Sequence, residues 1–190
     1  MTKPADPWHV PVLVAQIPDT GLQRDIEADP ATRLAMAELA GLRDIPLAQA
    51  QLVVTPNGGG RFHVGGRVRA QVGQTCVITL EPIYNDIDEP IDLVFAPPEQ
   101  IPVLADLVDE AADSEVELPD PPEPIVNGLI DLGRVATDAL FLAIDPYPRR
   151  EGAVFEAPVV AADPEDHPFA ALKALRPEPA APGSDQPKKR

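Results

Sequence analysis

Cysteine is almost missing from this chain. Cys76 stands alone among 190 residues, so no internal disulfide can form, and a reducing compartment is expected. Histidine is nearly as scarce: His9, His63 and His167 lie far apart, and none falls near Cys76 in metal-ligand spacing. No metal site and no cofactor are therefore expected. Aromatic residues make up only 4% of the chain, too few for a base-stacking platform. No run approaches the roughly 20 apolar residues of a membrane span. The opening Met1-Thr2-Lys3-Pro4-Ala5-Asp6-Pro7 also lacks the apolar core of a signal peptide, so a cytoplasmic protein with no membrane partner is expected. Positive charge is in deficit, with 15 Lys and Arg against 31 Asp and Glu, a net −16. Such a field repels DNA and attracts basic partners.

What is present is an ordinary hydrophobic share of 44%, enough for one core, together with 25 prolines that keep part of the length out of it. Trp8, Val10, Val12 and Val14 alternate as in an edge strand, and Leu22 to Ala28 is a candidate partner for it. Asp29-Pro30 opens a short helix that closes at Gly41, with Leu34, Ala37 and Leu42 as its apolar face. Ala48, Ala50, Leu52 and Val54 alternate up to the turn Pro56-Asn57-Gly58-Gly59-Gly60. Beyond it Phe62, Val64, Val68, Ala70 and Val72 continue the period. Cys76, Ile78 and Leu80 extend the pattern, and Ile91, Leu93 and Phe95 form a further strand after a break at Asn85-Asp86. Asp131 caps a second helix carrying Leu132, Val135, Ala136, Ala139, Leu140 and Ala143, which Asp145-Pro146-Tyr147-Pro148 stops.

These elements predict an α+β fold: an antiparallel meander over roughly 46–95, with a barrel-like closure as the alternative, flanked by helices near 30–40 and 131–144. A single domain over 8–150 contains an acidic, flexible insertion at 97–124. An Ala/Pro-rich tail follows at 151–190, with a short motif at 167–175.

Few of these residues assemble into chemistry. Gly60 through Gly66 has the outer spacing of a phosphate loop, but Gly66 and Arg67 stand where lysine and a hydroxyl residue belong, so a hairpin turn is the reading. Cys76 falls on the apolar face of its run and is expected to pack as a small hydrophobe. Two binding surfaces remain. Arg61, Arg67 and Arg69, with Gln71, form a basic row on the exposed face, suited to phosphates. Asp106, Asp109, Glu110, Asp113, Glu115 and Glu117 form a polyanion without Lys or Arg, suited to a basic protein.

Three stretches carry a family resemblance. They are Gly66-Arg67-Val68-Arg69-Ala70-Gln71-Val72-Gly73-Gln74-Thr75-Cys76-Val77-Ile78-Thr79-Leu80-Glu81-Pro82, Ile130-Asp131-Leu132-Gly133, and Asp145-Pro146-Tyr147-Pro148-Arg149. With the late Pro168-Phe169-Ala170-Ala171-Leu172, they resemble the YceD-like family of large ribosomal RNA subunit accumulation proteins. The resemblance implies a bacterial cytosolic factor for synthesis, processing or stability of the large-subunit (23S) ribosomal RNA. It supplies no catalytic residue. Many members have two cysteines around an arginine in this strand; here Cys76 matches the first and Thr79 replaces the second.

The expected function is non-enzymatic, with large-subunit ribosomal RNA or a basic ribosomal protein as partner. The alternatives are a small metal-dependent RNA-processing enzyme using Asp86, Asp88, Asp131 and Asp138, and a general polyanionic chaperone for basic proteins.

Overall fold

The computed structural model describes residues 6–102 and 120–155. The chain divides into two units, Met1–Ala153 and Val154–Arg190, and the architecture below is that of the first. Its centre is a five-stranded sheet in the order β2 (Leu22–Glu27), β3 (Asp44–Pro56), β4 (Phe62–Thr75), β5 (Pro82–Ala96), β6 (Glu123–Pro124). All neighbours are antiparallel except β5 and β6, which meet in parallel at Phe95 and Ala96. A separate two-stranded ladder joins β1 (Pro11–Leu13) to β7 (Leu129–Asp131). The sheet is open, without the barrel-like closure considered from sequence.

Alternation decides which face is buried. Ala48, Ala50, Leu52 and Val54 on β3, and Val64, Val68, Ala70 and Val72 on β4, all point into one core. Both helices cover that face: α1 (Pro30–Ala40) lies on β3, and α2 (Leu132–Leu142) lies on β4 and β5. Among the described residues, no helix covers the opposite face.

Local chemistry sets the helix limits. The Asp29 carboxylate accepts the Thr32 N–H at 2.7 Å, which holds its pKa below the usual range. Pro30 needs no such partner, and Gly41 ends the helix at φ +67°. Between β3 and β4, Gly58, Gly59 and Gly60 supply three positive φ angles for the turn.

Four sequence expectations are corrected. Leu22–Glu27 pairs with β3, its register running Leu22 to Val54 through Glu27 to Gln49, and not with the N-terminal strand. On α1 the buried residues are Met36 and Ala37, while Leu34 is 63% exposed, because the helix meets β3 along a narrow stripe. Residues 76–80 are no strand: β4 ends at Thr75 and the chain turns through 76–81, with Leu80 at φ +60° and 75% exposed. Asn85-Asp86 is not a break, since it lies inside β5 opposite Val72 and Gln71.

Candidate functional site

The N-terminal end of α2 is where the chain's two ends of the fold meet. Asp131 Oδ1 accepts the Gly133 N–H at 3.2 Å and the Arg134 N–H at 3.4 Å, capping the helix. The same oxygen accepts the Val10 N–H at 2.8 Å, and Oδ2 pairs with His9 Nδ1. Leu132 donates its N–H to Val10 O at 3.0 Å. Ile130 and Leu132 are buried on either side, and the absent side chain of Gly133 lets the Trp8 carbonyl approach. The Ile130-Asp131-Leu132-Gly133 stretch is thus the joint between strand and helix. Nearby, burial raises the Asp6 carboxyl pKa, and the charge of Asp138 adds to that effect.

Beside this joint lies a half-open groove of about 570 Å³ between α2, β5 and the turn at 126–129. Ile91, Phe95 and Val135 form its buried base, with Leu93, Leu129 and Ala139 higher on the walls. Its lips carry Val126 and Leu142, 57% and 88% exposed. Five carboxylates ring it, those of Glu89, Asp92, Glu123, Asp131 and Asp138, against the single guanidinium of Arg134. One wall was missed from sequence. Val126-Asn127-Gly128-Leu129 is a tight two-residue turn with φ +54° and +70° at its centre, and the Asn-Gly pair is the signal that marks it.

On the solvent face the structure brings Arg67, Arg69 and Gln71 together as expected, and adds a facing row of carboxylates that alternation within one strand could not disclose. Arg67 Nε donates to Asp88 Oδ1 at 2.7 Å, and Arg69 Nε lies 3.4 Å from Asp88 Oδ2. Gln71 donates to Asp86 at 2.9 Å. Hydrogen bonding from Arg67 holds the Asp88 pKa below the usual carboxylate range. Arg61 stands apart, bonded to Gln100 at 2.8 Å.

At the β4–β5 tip, the segment after α2 is clamped to the turn. Val77 N–H reaches Pro148 O at 2.9 Å, Gln74 Nε2 reaches Asp145 O at 2.8 Å, and Arg150 pairs with Glu81. The Cys76 sulfur accepts the Arg150 N–H at 3.3 Å and the Thr79 N–H at 3.4 Å. The Arg150 N–H foremost, then the Thr79 side chain and N–H, pull the thiol pKa down to about 6. Burial acts in the opposite direction and is outweighed. Cys76 is buried, but it lies outside the main apolar cluster and serves as a hydrogen-bond acceptor more than as the small hydrophobe expected.

The other expected site residues are distributed as follows. Asp86 and Asp88 project from the solvent face of β5, whereas Asp131, the last residue of β7 and the cap of α2, and Asp138 within α2 line the groove. Among the described residues, no group of three or more His, Cys, Asp or Glu is placed to hold a metal ion. Asp106, Asp109, Glu110, Asp113, Glu115 and Glu117 lie outside the described residues, as does the 167–175 motif. Among the described residues, no helix is long and apolar enough to cross a membrane.

An open, mostly antiparallel sheet backed by two helices defines an α+β domain. The family model described as large ribosomal RNA subunit accumulation protein YceD matches residues 64–176, from β4 through the groove and the Cys76 clamp and on past the described part. The chain belongs to this family, whose description suggests a role in accumulation of large-subunit ribosomal RNA. No curated protein and no solved structure matches it.

Proposed function

We propose that this protein is a non-enzymatic factor that promotes accumulation of large-subunit ribosomal RNA in the cytoplasm by binding a basic protein of the assembling subunit. The family match over residues 64–176 carries this reading. Charge supports the choice of partner, since a net −16 attracts the Lys- and Arg-rich proteins that coat ribosomal RNA. The carboxylates an RNA-processing enzyme would need are engaged in the fold. Asp88 binds two arginines, Asp86 binds Gln71, Asp131 caps α2, and Asp138 pairs with Arg134 at 3.5 Å.

Deletion of the gene is expected to lower large-subunit RNA relative to small-subunit RNA, and an unchanged ratio refutes the reading. Purified protein is expected to leave precursor ribosomal RNA uncut in magnesium or manganese; cleavage would install the enzyme instead. Neutralising Asp106, Asp109, Glu110, Asp113, Glu115 and Glu117 as Asn or Gln is expected to reduce capture of basic ribosomal proteins at low salt. Undiminished capture removes that segment from the interface. Arg61, Arg67, Arg69 and Gln71 offer RNA a weaker contact, because Asp86 and Asp88 already bind three of the four.

A further inference from the structure

We infer that the groove between α2 and β5 docks a basic amphipathic helix of a protein partner, apolar side chains on its floor and Lys or Arg against its carboxylate rim. This rests on the binding role proposed above and names the surface that performs it.

Helix α2 is apolar along two stripes. Leu132, Ala136 and Leu140 enter the core, while Val135, Ala139 and Leu142 line the groove. The second stripe spans Val135 to Leu142, seven steps or roughly 10 Å of helix axis, which matches about two turns of a partner helix. Its end, Leu142, is 88% exposed, and exposed Val126 lines the same groove. The groove volume, about 570 Å³, lies within the roughly 300–1,000 Å³ of clefts that take up ligands.

Charge selects the occupant. Of the rim carboxylates, Asp131 meets His9, Asp92 meets His63, and Asp138 meets Arg134. Glu89 and Glu123 have no ion pair among the described residues, so the rim keeps a negative surplus that cationic side chains would neutralise. The chain's own Asp106–Glu117 stretch carries the same sign of charge as the rim. Strand addition to β5 fits less well, because Pro90 on that edge has no N–H to donate. A helix laid in a groove requires no such donor.

The test uses the full chain and a labelled synthetic helix of about 16 residues, long enough to fold on contact. It carries Leu at i, i+3, i+4 and i+7 spacing and Lys elsewhere. Three control peptides replace Leu by Gln, replace Lys by Glu, or scramble the order. Fluorescence anisotropy is expected to show saturable binding of the Leu/Lys peptide alone, weakening as salt rises. The double variants Val126→Lys/Leu142→Lys, at exposed positions, and Glu89→Lys/Glu123→Lys, at a half-buried and an exposed position, are each expected to weaken it at least tenfold with unchanged circular dichroism. Equal binding of the Leu→Gln or scrambled peptide, or indifference to both variants, overturns the inference. Self-association of the full chain that Leu142→Lys abolishes overturns it too, by making a second copy the occupant. The ribosomal RNA ratio in the deletion strain is an independent readout. Failed peptide binding with a lowered ratio removes only the groove assignment, whereas peptide binding with a normal ratio removes the ribosomal role and leaves the groove.

Discussion

Replacing Gly133 by alanine is expected to unseat the N-terminal strand. A Cβ at this position would lie 2.3 Å from the Trp8 carbonyl oxygen, 2.7 Å from its carbon and 3.0 Å from Val10 N. All three are backbone atoms, which cannot swing aside like a side chain. Relief to an ordinary contact demands a shift of about 1.1 Å or more, the gap between 2.3 and 3.4 Å. That shift stretches the Val10-to-Asp131 and Leu132-to-Val10 hydrogen bonds, now 2.8 and 3.0 Å, and lifts Trp8, which is 3% exposed. Overpacking of this kind costs about 1–3 kcal/mol. Each weakened bond adds about 0.5–1.5 kcal/mol. The better helix propensity of alanine returns up to about 1 kcal/mol. The net is a loss of roughly 2–4 kcal/mol. For a domain of this size the melting temperature should then fall by about 6–15 °C. Trp8 is the only tryptophan, so its fluorescence reports this joint directly during thermal and urea unfolding. Gly128→Ala is the control: it meets no neighbouring atom and suffers only the strain of φ +70°, about 1–2 kcal/mol. A Gly133→Ala protein that melts with wild type and keeps its tryptophan emission refutes the docking of β1 against α2.

At the Asp131 cap, alanine is expected to cost about 2–3 kcal/mol, because it removes the cap and leaves the Val10 N–H without an acceptor. Asparagine, which keeps the accepting oxygen, should cost under about 1 kcal/mol in the same urea titration. Cys76 is expected to titrate near pH 6 by ultraviolet thiolate absorbance, and a midpoint at the ordinary thiol value of 9.0 would refute the N–H cradle. Its folded pKa is depressed, so its contribution is fully present above the unfolded value near 9 and is lost as pH falls through about 6. The stability gap between wild type and Cys76→Ser should accordingly widen from pH 6 to pH 9. Asp88→Asn frees Arg67 and Arg69; if they touch phosphate, RNA retention should rise in this variant and fall in Arg67→Ala/Arg69→Ala, and no difference between the two discards the contact.

Local chemistry was legible in the sequence wherever it was complete within a few residues. Asp29-Pro30 and Gly41 bound α1, Asp131 starts α2, and the alternation from Ala48 to Val72 sorts core from solvent, because capping and period-two burial depend on near neighbours alone. The family resemblance rested on the same kind of short stretch. Where the pattern ran past Thr75, alternation could not tell a strand from a turn. The Leu80 backbone, at φ +60°, donates its N–H to Cys76 O, while the Cys76 N–H closes the turn on Glu81 O. The Asp88 partner of Arg67 and Arg69 sits 19 to 21 residues away on β5, and the groove needs α2, β5 and the 126–129 turn at once. Composition by itself determined an acidic, single-cysteine chain, and the alternation and capping patterns an α+β fold. Which carboxylates neutralise arginines, which ring an apolar groove, and which thiol is held by two N–H groups were decided by strand register and helix placement. Those are set by burial of the whole core, a sum over distant residues that no short window of sequence contains.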